Sequence, residues 1–513
     1  MMRTRTVLAV ALLGTLGACG GGGGGGGGSS AGSTTLAAGS NTQDAPVLSK
    51  LSGKILDKSG KPVAGVTVSA FHHNDHTTLT AVTDASGAYT IPGLTSANNA
   101  DYAIWASKSG LAFLPAIGDP AGAVGKLDFN GLYRTVIRFL VMPAHDVSSA
   151  DFTALAAGDK VVSLPRTGQA ASYASGDDGA VRSGVAWPAV RFGDNGDGSV
   201  TDRLTGLVWL KNAGCFTPAS WSAALAAANQ LASGACGLSD GSAAGQWRMP
   251  NVNELESLVD IARSMPALSS AHPFTNVNLG TAYWSSTTYT AGTANAMAIR
   301  LSDGRWINGA EGSFDNNKSS ASNALWAVKS GGAGTIKLLA TGVYDSQGGG
   351  SFGKGDDASL QLGERTPADR FIDKGDGTVA DAATGLVWLK QADCIKQGWD
   401  GALASVASLS SGKCGLTDGS SAGQWRMPNR AEMLSLSDRA PTFPQASYFN
   451  GQYQASNALT GPVIFNNFIV GDYYWTSSSD AADPTQAWSV YSCDFGVYNQ
   501  PKSDARYVLA LRN

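Results

Sequence analysis

The 513-residue chain carries 36 Lys plus Arg against 40 Asp plus Glu, a formal charge of −4, and only 15% of its residues are charged. A mildly acidic chain without basic runs excludes nucleic acid and broad polyanion binding. With 65 glycines and 13 tryptophans, the profile is that of a loop-rich, β-containing exported protein rather than a cytosolic enzyme.

Residues 1–18 open with Arg3 and Arg5, followed by an apolar run from Val7 to Leu16. The run is too short to span a bilayer, and its small residues before a cut are those of a secretory signal. Leu16-Gly17-Ala18-Cys19 resembles the lipobox of bacterial lipoproteins. That resemblance implies a diacylated Cys19 as the mature N-terminus and the membrane as partner through its lipid. With Gly20 rather than an aspartate next, it also implies the outer membrane. Residues 19–48 begin with an unbroken glycine run and continue in Gly and Ser, a composition that stays flexible coil and serves as a tether.

Residues 49–145 read as a separate all-β unit. Val63, Val66, Val68 and Ala70 alternate between turn signals at Ser59-Gly60 and Asp84-Ala85-Ser86-Gly87, which is strand-turn-strand chemistry. The strings GKPVAGVTV and TDASGAYTIPGL resemble the carboxypeptidase regulatory-like β-sandwich, which implies a stalk or spacer without peptidase residues. His72, His73 and His76 lie close in sequence, but nothing there fixes a coordination geometry, and the run reads as a hairpin tip.

The remainder is written twice, at residues 160–330 and 337–513. The copies keep an offset of 178 to 179 residues from Asp177/Asp356 through Asn251/Asn429. A repeat of that length means tandem domains, since solenoid units recur every 20 to about 50 residues. Each copy begins with a Gly-Asp-Asp element (Gly176-Asp177-Asp178, Gly355-Asp356-Asp357) and a hairpin signal (Asn195-Gly196-Asp197-Gly198, Lys374-Gly375-Asp376-Gly377). Buried strands follow at Leu207-Val208-Trp209-Leu210 and Leu386-Val387-Trp388-Leu389. Trp221, Leu225 and Ala228, like Trp399, Leu403 and Val406, are spaced for an amphipathic helix. Asn251 three before Glu254, and Asn429 three before Glu432, predict a capped second helix in each copy. Cys215 with Cys236, and Cys394 with Cys414, predict one disulfide per copy, each worth roughly 3 kcal/mol by the loop-entropy estimate. Cys493 has no counterpart and reads as a free thiol.

TGLVWLK, GQWRMPN, the Tyr-Trp-Ser/Thr-Ser clusters and the closing strands Trp326-Ala327-Val328-Lys329 and Tyr507-Val508-Leu509-Ala510-Leu511-Arg512 resemble the Lcl C-terminal domain family, named for a collagen-like bacterial adhesin. The resemblance implies a C-type-lectin-like fold, so the expected class is α+β: two tandem lectin-like modules preceded by an all-β sandwich. It also implies a surface binding or adhesion role toward glycans or surface proteins, with a structural envelope component as the alternative. This chain lacks the collagen-like stretch and the basic balance that the namesake's sulfated ligands require. Asp194, Asp197 and Asp202, and likewise Asp373, Asp376 and Asp381, cluster among glycine turns as calcium ligands would, without EF-hand spacing. Pro250-Asn251 resembles a lectin sugar loop, but Met249 stands where a ligand would, so a helix start is expected. WRMPN-xx-E also resembles formylglycine-generating-type domains, which need free catalytic cysteines. The recurring cysteines here look paired and no histidine recurs, so no enzyme is expected.

Overall fold

The computed structural model describes residues 48–513 apart from 73–76, 96–100, 117–121, 130–131, 141–149, 290–291, 308–314, 344–354, 368, 438, 440–463, 470 and 493–494. The chain divides into two units, Met1–Ala38 and Gly39–Asn513, and every described residue belongs to the second. Cys19, His73, His76 and Cys493 lie outside the described residues, as do the leader and the Gly/Ser tether. Strand residues outnumber helical ones, 34% to 10%, so short helices decorate a set of small sheets.

The first globular part is a two-sheet sandwich. One sheet orders Ala88–Thr95, Leu48–Asp57, Asp151–Ala156 and Leu111–Ala116; the other orders Thr78–Val82, Thr67–His72, Asp101–Ser107, Leu132–Leu140 and Gly122–Phe129. Val66, Val68, Ala70, Ile55, Ile91, Ile104 and Phe113 fill the space between them, whereas Val63 is only half-buried beside this core. Both expected turns close in the same way. The Asp57 carboxylate accepts from Ser59 and Lys61, and that of Asp84 from Ser86 and Ala88. The domain runs beyond residue 145, because Asp151–Ala156 pairs parallel to Leu48–Asp57 and antiparallel to Leu111–Ala116. His72 is no hairpin tip: it is buried in a strand with its ring 4.9 Å from that of Tyr102.

Each repeat builds two sheets. In the first repeat they are Phe192–Asp194, Ser199–Asp202, Val208–Leu210 and Val328–Lys329, then Tyr283–Thr288, Ala296–Arg300 and Arg305–Ile307. In the second, Phe371–Asp373, Thr378–Asp381, Val387–Leu389 and Leu511–Arg512 face a five-stranded sheet. That sheet orders Ile395–Gln397, Arg506–Val508, Tyr473–Ser479, Gln486–Tyr491 and Val497–Pro501. The helices are α1 (Asp178–Val181), α2 (Trp221–Gln230), α3 (Val252–Glu256), α4 (Asp357–Leu360), α5 (Trp399–Ala407) and α6 (Arg430–Ser435). The amphipathic pattern is met, since Trp221, Leu225 and Ala228 bury on α2 and Trp399, Leu403 and Val406 on α5. Most tryptophans are core, and several indole N–H groups donate to backbone at matched positions: Trp221 to Ser285 and Trp399 to Thr476, both at 2.8 Å.

The repeats are not two independent beads. The leading segment of each packs on the other. Asp178, on α1 in the leading segment of the first repeat, accepts hydrogen bonds from Thr167 (2.6 Å) and from Ser478 of the second repeat (2.7 Å). Asp357, on α4 in the leading segment of the second repeat, accepts from Thr341 (2.5 Å) and from Thr287 of the first (2.8 Å). The cap residues repeat the exchange, as Asn429 donates to the Ser183 carbonyl and Asn251 to the Leu362 carbonyl. Arg430 of α6 then forms a two-pronged pair with Glu256 of α3 at 3.0 and 2.9 Å. One apolar core consequently contains Trp209 and Trp326 together with Trp388 and Trp488.

Burial raises the Asp178 carboxyl to about 6 and the Asp357 carboxyl to about 7, against hydroxyl donors that pull the other way and neighbouring acids (Glu432 and Asp177; Glu254 and Asp356) that add to the rise. The folded state therefore holds these protons where the unfolded chain, near 3.8, has lost them. Their contribution to stability is greatest below the unfolded value and falls as pH rises through the folded values. Replacing both by Asn, which still accepts from the hydroxyls, should raise the stability read from urea unfolding at pH 8, by at most about 3 kcal/mol at Asp178 and about 4 kcal/mol at Asp357, and change it little at pH 4. An equal effect at both pH values would show that the carboxyls enter the fold already ionised.

Candidate functional site

The shared GQWRMPN string turns out to be a junction between strand and helix. Trp247 and Trp425 donate to the hydroxyls of Ser242 and Ser420, both at 3.0 Å. Arg248 and Arg426 grip Glu254 and Glu432 with two hydrogen bonds each, at 2.6 to 2.7 Å. Those glutamates reach back to the N–H of Asn251 and Asn429, whose side chains cap α3 and α6 in full capping boxes. Met249 and Met427 are buried. The expected helix start is what the structure shows, with the Trp, Arg and Asn side chains of the string bonded within the fold. Glu432 also accepts from Ser183 of the exchanged segment. Glu432→Ala should thus cost about 3 kcal/mol, the scale for stranding one partner of a largely buried pair together with a cap. A urea midpoint near wild type would refute this reading of the motif.

The aspartates expected to collect calcium have protein partners. Asp202 and Asp381 are fully buried and form two-pronged pairs with Arg191 (2.9 and 2.9 Å) and Arg370 (2.6 and 2.7 Å). Asp194 takes Lys211 and the Gly196 N–H, and Asp373 takes Lys390 and the Gly375 N–H. The Lys211 hydrogen bond, ahead of the Gly196 N–H, holds Asp194 below its ordinary value. Asp197 and Asp376 accept from Ser199 and Thr378. Among the described residues, no three His, Cys, Asp or Glu side chains are grouped so as to hold a metal ion. The loops lock hairpins: a Cβ at Gly198 or Gly377 would stand 2.2 or 2.3 Å from the carbonyl of Gly237 or Gly415, each directly after the second cysteine of a disulfide. Melting in calcium or in EDTA should coincide within about 1 °C, less than a 1 kcal/mol change would produce in a domain of this size; a clear calcium-dependent rise would restore the cation.

The disulfides form as paired by spacing, Cys215–Cys236 and Cys394–Cys414, with Cα–Cα distances of 5.7 and 5.8 Å.

Between the repeats lies a cavity of about 120 Å³, walled by Leu164, Pro165, Trp187, Val259, Ile261 and Leu434. Arg439 stacks 4.2 Å over Trp306 at its side, and Arg430, 1% exposed, lies 4.7 Å over Trp488. Arg166, Asn253, Glu256 and Lys337 also line the cavity.

A different place separates the copies. Tyr473 and Tyr491 are cross-strand partners with ring centroids 4.9 Å apart. Tyr498 stands perpendicular to both, at 5.7 and 6.4 Å. All three are half-buried. Arg506 covers Tyr473 at 4.9 Å while paired to Asp504 at 2.8 Å, and Arg305 approaches Tyr498 at 5.8 Å. Strand register puts Tyr283/Ile299 of the first repeat where Tyr474/Val490 stand in the second. The residues matching Tyr473, Tyr491 and Tyr498 are therefore Ala282, Arg300 and Ile307. The sequence reading missed this corner because it weighed what the copies share; comparing them at unlike positions would have found it.

The sequence profile of the Lcl C-terminal domain matches residues 198–329 and 377–512, more than half of the chain. The chain belongs to this family. A carboxypeptidase regulatory-like domain matches residues 50–112. Chitinase ChiA of Flavobacterium johnsoniae is 50% identical over 66 residues, 13% of this chain and 4% of that protein, so the chain spans only a small part of that relative. A 9R-lipoxygenase structure from Cyanothece PCC8801 is 16% identical, with a TM-score of 0.10 over 24% of this chain and 18% of that one.

Proposed function

We propose that this protein is a binding or adhesion protein of the bacterial cell envelope, held at the outer membrane by lipid on Cys19 and presenting two C-type-lectin-like modules on a β-sandwich spacer. The observation that carries the reading is the tyrosine corner. The modules share their core, caps, disulfides and ion pairs, yet one of them alone carries three clustered, half-exposed aromatic rings edged by charged groups. The first module builds the same strands without such a cluster, and tyrosine suits ligand contact because it joins large contact area to a polar tip. The matched polar constellations are consumed by ion pairs and caps, which supports binding over catalysis. The sandwich packs on the second module, through Ala112 and Leu155 against Ile372, Ala380 and Ala382, which favours a display arm of fixed geometry.

The full chain in detergent, applied to a broad glycan array with calcium and with EDTA, should bind saturably and equally in both. Absence of binding at high protein concentration, with envelope proteins captured instead by crosslinking on intact cells, would favour the structural alternative.

A further inference from the structure

Resting on that reading and deepening it, we propose that Tyr473, Tyr491 and Tyr498 of the second module form a subsite for one uncharged hexopyranose unit of a glycan, with Arg506 and Asp504 as its polar rim. Three features fix the ligand class.

The first is shape. Tyr473 and Tyr491 lie 4.9 Å apart at 42°, and Tyr498 meets them at 88°. Tyr498 stands upright to the other two rings, and Arg506 lies on the face of Tyr473. A pyranose offers an apolar face of C–H groups to a ring and keeps its hydroxyls at the edge, so partly exposed rings with a polar rim suit it.

The second is the rim. Sugar hydroxyls both donate and accept, and donors and acceptors are interleaved here. Arg506 Nη2 donates to Asp504 at 2.8 Å and to Gln500 at 3.1 Å, and Asp472 lies 3.7 Å from Arg506. Arg305, Arg506 and Lys396 stand against Asp472 and Asp504, and Lys396 is itself paired to Asp472 at 2.8 Å. The charges nearly cancel, which disfavours a sulfated chain, whose attraction needs a cationic excess.

The third is size. An aromatic side chain carries roughly 150–250 Å², so three half-covered rings expose on the order of 300 Å². A stable protein interface needs at least about 1,000 Å², and one sugar ring needs far less.

The test exchanges residues between the copies. Tyr491→Arg and Tyr498→Ile install what the first module holds at the matched positions, so the sheet tolerates them; circular dichroism and the melting temperature, unchanged from wild type, verify the fold. Full chain and variants are titrated against gluco-, manno- and galacto-configured hexasaccharides and against heparin. The expected result is binding of at least one neutral hexasaccharide by the wild type and a loss of at least tenfold in each variant. Wild-type binding that the variants keep within twofold overturns the subsite and leaves glycan binding standing. Retention on heparin alone overturns the uncharged class. No binding to any glycan by the wild type overturns the subsite and the glycan reading together.

Discussion

A carboxylate taken out of water without a cation must either find hydroxyl donors or keep its proton, and Asp178 and Asp357 do both. Each sits on a single-turn helix whose preceding aspartate caps it. Asp177 accepts from the N–H of Ala180 and Asp356 from that of Ser359. The cap fixes where the next side chain points, and that side chain reaches into the opposite module. One Asp closes a local turn; its neighbour closes a contact across 300 residues of chain. The remaining inter-module structure follows from these two insertions. They seat the exchanged segments, the segments offer carbonyls to the cap asparagines, and α3 and α6 come close enough for Arg430 to meet Glu256.

Exchange of leading segments explains why the two copies share one core. A module deprived of its partner's leader would leave Thr287 or Ser478 without an acceptor and uncover the cap asparagines. Those losses fall on buried polar groups, where an unmade hydrogen bond costs more than a made one gains. Cooperative folding of residues 160–513 is the physical consequence. Local folding of each copy, suggested by its disulfide and its own pair of sheets, is only half of what holds it.

What could be read from the sequence was whatever physics acts over a few residues. The capping boxes at Asn251 and Asn429 were legible because donor, acceptor and spacing all lie within one turn. The disulfides were legible because each pair recurs at nearly the same separation, and the helix faces of Trp221 and Trp399 because periodicity is local. The exchange was not legible: Asn429 and Ser183 are 246 residues apart and Ser479 and Gln169 are 310 apart, and no short pattern states which copy a leader will serve. The acidic hairpins misled for a related reason. Clustered aspartates suit calcium and suit arginine equally well, and the arginines that claim Asp202 and Asp381 stand eleven residues upstream. The closing strand of the sandwich, Asp151–Ala156, was hidden because both its partners, Leu48–Asp57 and Leu111–Ala116, are distant in sequence.

Duplication within a locked pair also constrains where novelty can arise. Residues at the exchange and the cap asparagines are tied to partners in both modules, so a change in one copy strands a buried group in the other. At the sheet edge holding Tyr473, Tyr491 and Tyr498 the first module carries Ala282, Arg300 and Ile307, and these support the same strands. Divergence is cheapest there, and because the exchanged segments hold the modules as a single body, a surface gained by one is presented at a fixed attitude to the other. If the two modules engage different features of one surface, that fixed attitude sets their effective concentration directly, without the entropy that a flexible linker would have to give up.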